Sequence, residues 1–151
     1  MRPASVRRRL SGDDGSVLPL ICFYGALALL VTLIVASATS LYLERKRLFT
    51  LADGAALVGA ESFTLADVSV TPSGPRVELK PAQVRSAVRK YLDGNPIGRF
   101  ESLSLDEATT LDGRSAQVTV SAVWRPPVVT LFVPEGLRID ATAVSRTVFG
   151  G

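Results

Sequence analysis

The chain has 151 residues, a formal net charge of +3 and a hydrophobic content of 47 %, ordinary for a folded protein. It has no histidine and one cysteine, which removes the commonest general base and transition-metal ligand, and any intrachain disulfide. Much of the positive charge sits in Arg7, Arg8 and Arg9 and in Arg45, Lys46 and Arg47, on either side of an apolar run. That placement fits lipid headgroups and argues against a nucleic-acid partner.

Residues 1–14 read as a basic cytoplasmic tail. No charged residue lies between Asp14 and Glu44, and the run between them is almost wholly apolar, so residues 15–43 are predicted to be a transmembrane helix. Arg2 and Arg7 to Arg9 precede it, whereas Arg45 to Arg47 follow it, a weak bias. The short basic tail and the long C-terminal part predict a single-pass protein of the inner (cytoplasmic) membrane. Its N-terminus would be cytoplasmic and its C-terminal domain outside. Ala36-Ser37-Ala38 is a small-x-small site of the signal-peptidase kind, so the alternative is a secreted or envelope binding module released after Ala38. The run continues through Leu41, Tyr42 and Leu43, with Tyr42 at an interfacial position, which favours retention as an anchor. Cys22 lies near the start of the run, where a lipobox cysteine would follow it.

From Glu44 the sequence remains rich in helix formers without proline, and residues 44–60 are predicted to be a helical extension. A continuous helix from Val17 to Ala60 would be about 65 Å long. Ala52, Ala56 and Ala60 recur four apart, as do Ala55 and Gly59, while Leu48, Leu51, Ala55 and Val58 form a larger stripe. Such a ladder permits close helix approach. It suits either a helix-helix oligomer or docking on the chain's own domain.

Three segments taken in order carry a family resemblance. They are Gly15-Ser16-Val17-Leu18-Pro19-Leu20 before the span, Leu41 to Leu48 at its exit, and Leu51-Ala52-Asp53-Gly54-Ala55-Ala56-Leu57-Val58-Gly59-Ala60. Over roughly a third of the chain they resemble the N-terminal segment of TadE-like and TadG-like proteins, pseudopilin-like components of the tight-adherence (Flp-type) pilus machinery. The resemblance implies a membrane-anchored structural component, a minor pilin or assembly subunit, whose partners are the bilayer and other pilin-like or pilus-assembly subunits. It is to the short members. The von Willebrand-type domain of full-length TadG proteins is not expected here, since the sequence has no Asp-x-Ser-x-Ser run for its metal site. A prepilin leader would also place glutamate five residues after the cleaved glycine, where Val17 and Leu20 stand.

Residues 61–151 are predicted to form a small exported α+β domain, a mostly antiparallel sheet with one packed helix. Strands are predicted over 63–71 and 76–80, separated by Pro72-Ser73-Gly74-Pro75. Pro81 opens a helix to about Asp93, ended by Gly94-Asn95-Pro96, with Val84, Val88, Tyr91 and Leu92 inward and Arg85, Arg89 and Lys90 outward. Strands over 100–111 and 114–125 flank Asp112-Gly113, a two-residue hairpin signal. Ala116, Val118, Val120, Ala122 and Trp124 alternate with polar residues. A last strand over 137–148 places Ile139, Ala141 and Ala143 on one face and Asp140 and Thr142 on the other. Between these two strands lies a proline-flanked apolar loop, Val128 to Val133, of a kind that the resemblance places in such C-terminal domains. It suits a knob on the membrane or a neighbouring subunit, or a loop folded over the core.

No catalytic, cofactor-binding or metal-ligating set emerges, and no enzyme is predicted. Asp13-Asp14 and Asp106-Glu107 are adjacent pairs whose side chains diverge in regular structure. Lys46, Lys80 and Lys90 sit in no serine-lysine motif, and the glycines form no phosphate-cradling loop. Asp53 is expected to help discriminate: in an anchored bundle it would pair with a cation of an adjacent helix, whereas a freed module would not keep the alanine ladder exposed.

Overall fold

The computed structural model describes residues 17–72, 74–94, 100–126, 130 and 133–148. The basic tail, Asp13-Asp14, Ser73, Asn95-Pro96 and most of the Val128 to Val133 loop lie outside the described residues. The chain divides into two units, Met1–Ala36 and Ser37–Gly151. Helix α1, Val17–Ala60, contributes to both.

In the first unit, the described residues 17–36 are helical and apolar. Leu18, Phe23, Leu29 and Ile34 are exposed, and no side chain is fully buried. Proline at position 19 falls in the first turn, where a missing N–H costs no helical hydrogen bond.

The second unit holds the core. After α1 come a short 3-10 turn, Leu65–Asp67, and the hairpin of β1, Val68–Thr71, with β2, Gly74–Val77. Helix α2, Pro81–Gly94, precedes a three-stranded antiparallel sheet in the order β3 (Glu101–Thr110), β4 (Ser115–Trp124), β5 (Leu137–Arg146). The α+β class and the antiparallel sheet are therefore as the sequence predicts. Ala116, Val118, Val120 and Ala122 of β4 are buried, as are Ala141 and Ala143 of β5, matching the period-2 alternation.

Several local expectations are corrected. The segment predicted as a strand over 63–71 begins as the 3-10 turn, because the Asp67 carboxylate accepts hydrogen bonds from the Thr64 N–H at 2.9 Å and its hydroxyl at 2.7 Å. That closes a local ring in place of a ladder. The strand predicted over 76–80 is instead β2, and ends before Leu79, whose N–H donates to the Gly113 carbonyl. The β3–β4 connection is longer than two residues. Asp112 accepts from the N–H groups of Arg114 (2.9 Å) and Ser115 (2.6 Å), an Asx-type turn that ends both strands early. Those two amides, in that order, hold the Asp112 carboxyl below its usual range.

Helix α2 is not the only helical element in this core. Leu48, Leu51, Ala52, Ala55, Ala56, Gly59 and Ala60 of α1 are all buried, in one unit with Val84 and Val88 of α2 and with β4.

Candidate functional site

The apolar helix and the polar surfaces of the folded unit are the features the sequence singles out. Among the described residues, one helix is long and apolar enough to cross a membrane, and the most apolar part of it is unburied. Apolar side chains left in water over that length would be costly, at roughly 25 cal/mol per Å². A lipid environment removes the cost, and the unbroken helix satisfies its own backbone polar groups. Thr32, a polar side chain within the run, donates to the Ala28 carbonyl at 2.8 Å and so carries no unpaired donor.

The character of the helix changes past Glu44. Lys46, Phe49, Asp53 and Leu57 face outward, whereas the small-residue ladder faces inward. A Cβ on Gly59 would stand 3.1 Å from Ala116 Cβ, 3.2 Å from Val84 Cγ1 and 3.3 Å from Val88 Cγ2. The glycine therefore sits where α1, α2 and β4 converge, and its missing side chain sets their spacing. Of the two roles open to the ladder, docking on the chain's own domain is the one the structure shows. The proposed discriminator is overturned with it: a ladder buried in its own core is kept whether or not the anchor is cleaved. Asp53 is exposed, and no described ion pair reaches it.

Two polar clusters escaped the sequence reading. The Asp67 side chain is 1 % exposed and paired to Lys80 Nζ at 2.5 Å, with Gln83 Nε2 at 3.2 Å and the two Thr64 donors. Lys80 first, then Thr64, hold the Asp67 carboxyl well below the usual carboxylate range, and Asp67 in turn raises the Lys80 ammonium. The Lys80 carbonyl also accepts from the N–H of Gln83 and Val84, so the cluster ties the 3-10 turn to the start of α2. A Thr-x-x-Asp spacing was the available signal.

The second cluster lies on the outer sheet face. A register shift between Leu105 and Glu107 turns both members of the Asp106-Glu107 pair to that face, contrary to the expected divergence. Asp106 binds Arg138 at 2.7 Å, Arg138 donates to the buried Ser121 hydroxyl at 2.7 Å, and Glu107 accepts from Gln117. Ser121 foremost, with Arg138, lowers the Asp106 carboxyl. Both clusters are built on ion pairs, the arrangement of structural polar groups, although Gln83 Oε1 in the first is buried without a hydrogen-bond partner. Arg85, Arg89 and Lys90 lie on the exposed side of α2, as predicted. Among the described residues, no group of three or more His, Cys, Asp or Glu could hold a metal ion.

The decisive observation for the N-terminal third is its match to a known family. Residues 15–62 match the family model described as putative Flp pilus-assembly TadE/G-like. This segment is similar to that family. The match covers the apolar run and the small-residue helix, the same stretch that carries the resemblance in the sequence. No curated protein and no solved structure matches the chain.

Proposed function

We propose that the chain is a membrane-anchored structural component of a tight-adherence (Flp-type) pilus system, acting as a minor pilin or pilus-assembly subunit and not as an enzyme. The observation that carries this reading is the TadE/G-like match, coinciding with a helix long and apolar enough to cross a membrane. The mechanism is mechanical. Residues 15–43 hold the subunit in the inner membrane with the N-terminus cytoplasmic, residues 44–60 continue as helix, and residues 61–151 form the exported domain that meets other pilus subunits.

Mass spectrometry of the mature N-terminus, in membrane and culture-fluid fractions, tests it. A membrane-bound chain that retains Arg7 to Arg9 supports the permanent anchor. A start after Gly12 or Gly15 shifts the reading towards filament entry after leader processing. A soluble chain beginning at Thr39 refutes the anchor. Normal piliation in a strain lacking the protein would refute the assembly role.

A further inference from the structure

The second unit has two distinct ends, and its own helical segment orders them. At one end Gly59 of α1 lies against Ala116, near the start of β4. At the other, the Trp124 indole N–H reaches the Ser40 hydroxyl at 3.4 Å. From Ser40 to Gly59 a helix rises about 28 Å, and from Ala116 to Trp124 a strand rises about 26 Å. The two elements therefore run side by side in opposite senses, and Trp124 is level with Ser40. Ser40 precedes Glu44, the first charge after the apolar run, so the indole sits beside the run's last turn.

The residues at this level have interfacial chemistry. Tyr42 and Leu43 are exposed on α1, about 3–5 Å along the helix axis from Ser40. Leu137, which pairs with Trp124, is partly exposed. Arg45, Lys46 and Arg47 follow within one to two turns and are exposed, Arg47 beside Glu44, while Arg125 and Arg138 nearby are exposed but already paired with Glu101 and Asp106. Tyr42 with cations about one turn beyond is the pattern of side chains at headgroup depth, and Trp124, itself buried at 7 % exposure, lies at the same level of the domain. Gly136 makes the end compact. It adopts φ 76°, and a Cβ there would lie 2.9 Å from the Trp124 carbonyl oxygen, so β5 can begin flush against Trp124 only with glycine.

We propose that the Trp124–Leu137 end of the sheet, with Tyr42 and Leu43, is a membrane-contact surface that rests in the headgroup layer of the bilayer. The inference depends on α1 being the anchor, and it adds that the folded domain is seated on the lipid and not held clear of it. A seated domain has fewer orientations, so its opposite end, at Leu111 to Arg114, faces away from the membrane as the surface left for other subunits.

Trp124 is the only tryptophan of the chain, so its emission reports on this end alone. The test reconstitutes the full chain in liposomes of phosphatidylcholine with phosphatidylglycerol, confirms co-flotation, and substitutes lipids brominated near the carbonyl end or the methyl end of their chains. The expected result is strong quenching by the first lipid and weak quenching by the second. In a Trp124→Phe chain carrying Leu111→Trp, the reporter moves to the exposed far hairpin and no quenching is expected. Co-flotation without quenching of Trp124 overturns the inference and leaves the anchor standing. Equal quenching of both reporters overturns it too, since the domain would then lie flat. Emission that responds to protein density and not to bromine assigns this end to a second protein. Failure to co-float removes the anchor and this inference together.

Discussion

Helix α1 is one helix with two kinds of surface. Over residues 17–36 it exposes large apolar side chains such as Leu29 and Ile34, and over 48–60 it buries small ones such as Ala52, Ala56 and Gly59. Both stretches are strongly apolar, so average hydrophobicity does not separate them. Side-chain size and one-sidedness do. Large residues on every side fit a fluid solvent that fills any shape, whereas alanine and glycine on one face fit a rigid neighbour at short range. The same helix thus fits lipid in one part and forms protein core in the other.

The largest effect is expected where the second surface is densest. Leu48 is fully buried, and Leu48→Ala should cost about 2–5 kcal/mol, because the cavity cannot be filled by solvent. Thermal unfolding of the full chain in detergent micelles checks it, with Leu43→Ala, on an exposed position of the same helix, as the contrast. Equal losses for both would show that the core assignment of 48–60 is wrong. The next effect belongs to the first surface. A charge near the middle of the run, Leu29→Arg, should cost about 2.5–3.5 kcal/mol of insertion free energy and release much of the protein on alkaline extraction of membranes. If Leu29→Arg stayed fully membrane-bound, residues 17–36 would not be a span.

How far the sequence foretold this arrangement depends on which property carried the signal. Helix α2, the three long strands and the inward set Val118, Val120 and Ala122 follow from periodicity, which reports a face directly. Periodicity does not report what the face meets. The ladder from Ala52 to Ala60 was legible as a close-packing surface, but its partner, β4 with α2, lies more than twenty residues away in sequence. The Asp67 cluster was missed because its members, Thr64, Asp67, Lys80 and Gln83, are brought together only by the turn that Asp67 itself closes. The outward turn of both Asp106 and Glu107 depends on a bulge, and no residue type at that position announces one.

A smaller effect sharpens the comparison from the packing side. Gly59→Ala should gain about 1 kcal/mol of helix propensity but lose about 1–3 kcal/mol to the contacts with Ala116, Val84 and Val88. The expected net is a modest destabilisation. Gly25→Ala, whose new methyl would meet nothing within 4 Å, should be neutral or stabilising. Parallel thermal melts decide it. Stabilisation by both changes would mean that α1 does not approach β4 as closely as described.

The last and smallest effect concerns the polar clamp that fixes α2 beside this seam. The Asp67 carboxyl is depressed in the folded chain, by Lys80 first and Thr64 next, relative to about 3.9 in an unfolded chain. A depressed carboxylate contributes stability that is fully present above the unfolded value and is lost as pH falls through the folded one. The Tm should therefore be level above about pH 5 and decline below about pH 4. Asp67→Asn removes the titrating group but keeps its shape, so it should lower Tm by a few degrees at neutral pH and flatten the acid decline. Asp106 and Asp112 are depressed too and keep some of that decline in the variant. A double variant, Asp67→Asn with Lys80→Met, separates the ion pair from the Thr64 bonds. Curves for wild type and Asp67→Asn that stay parallel through the acid range would show that the clamp is not formed, and that the core seam alone holds α2 in place.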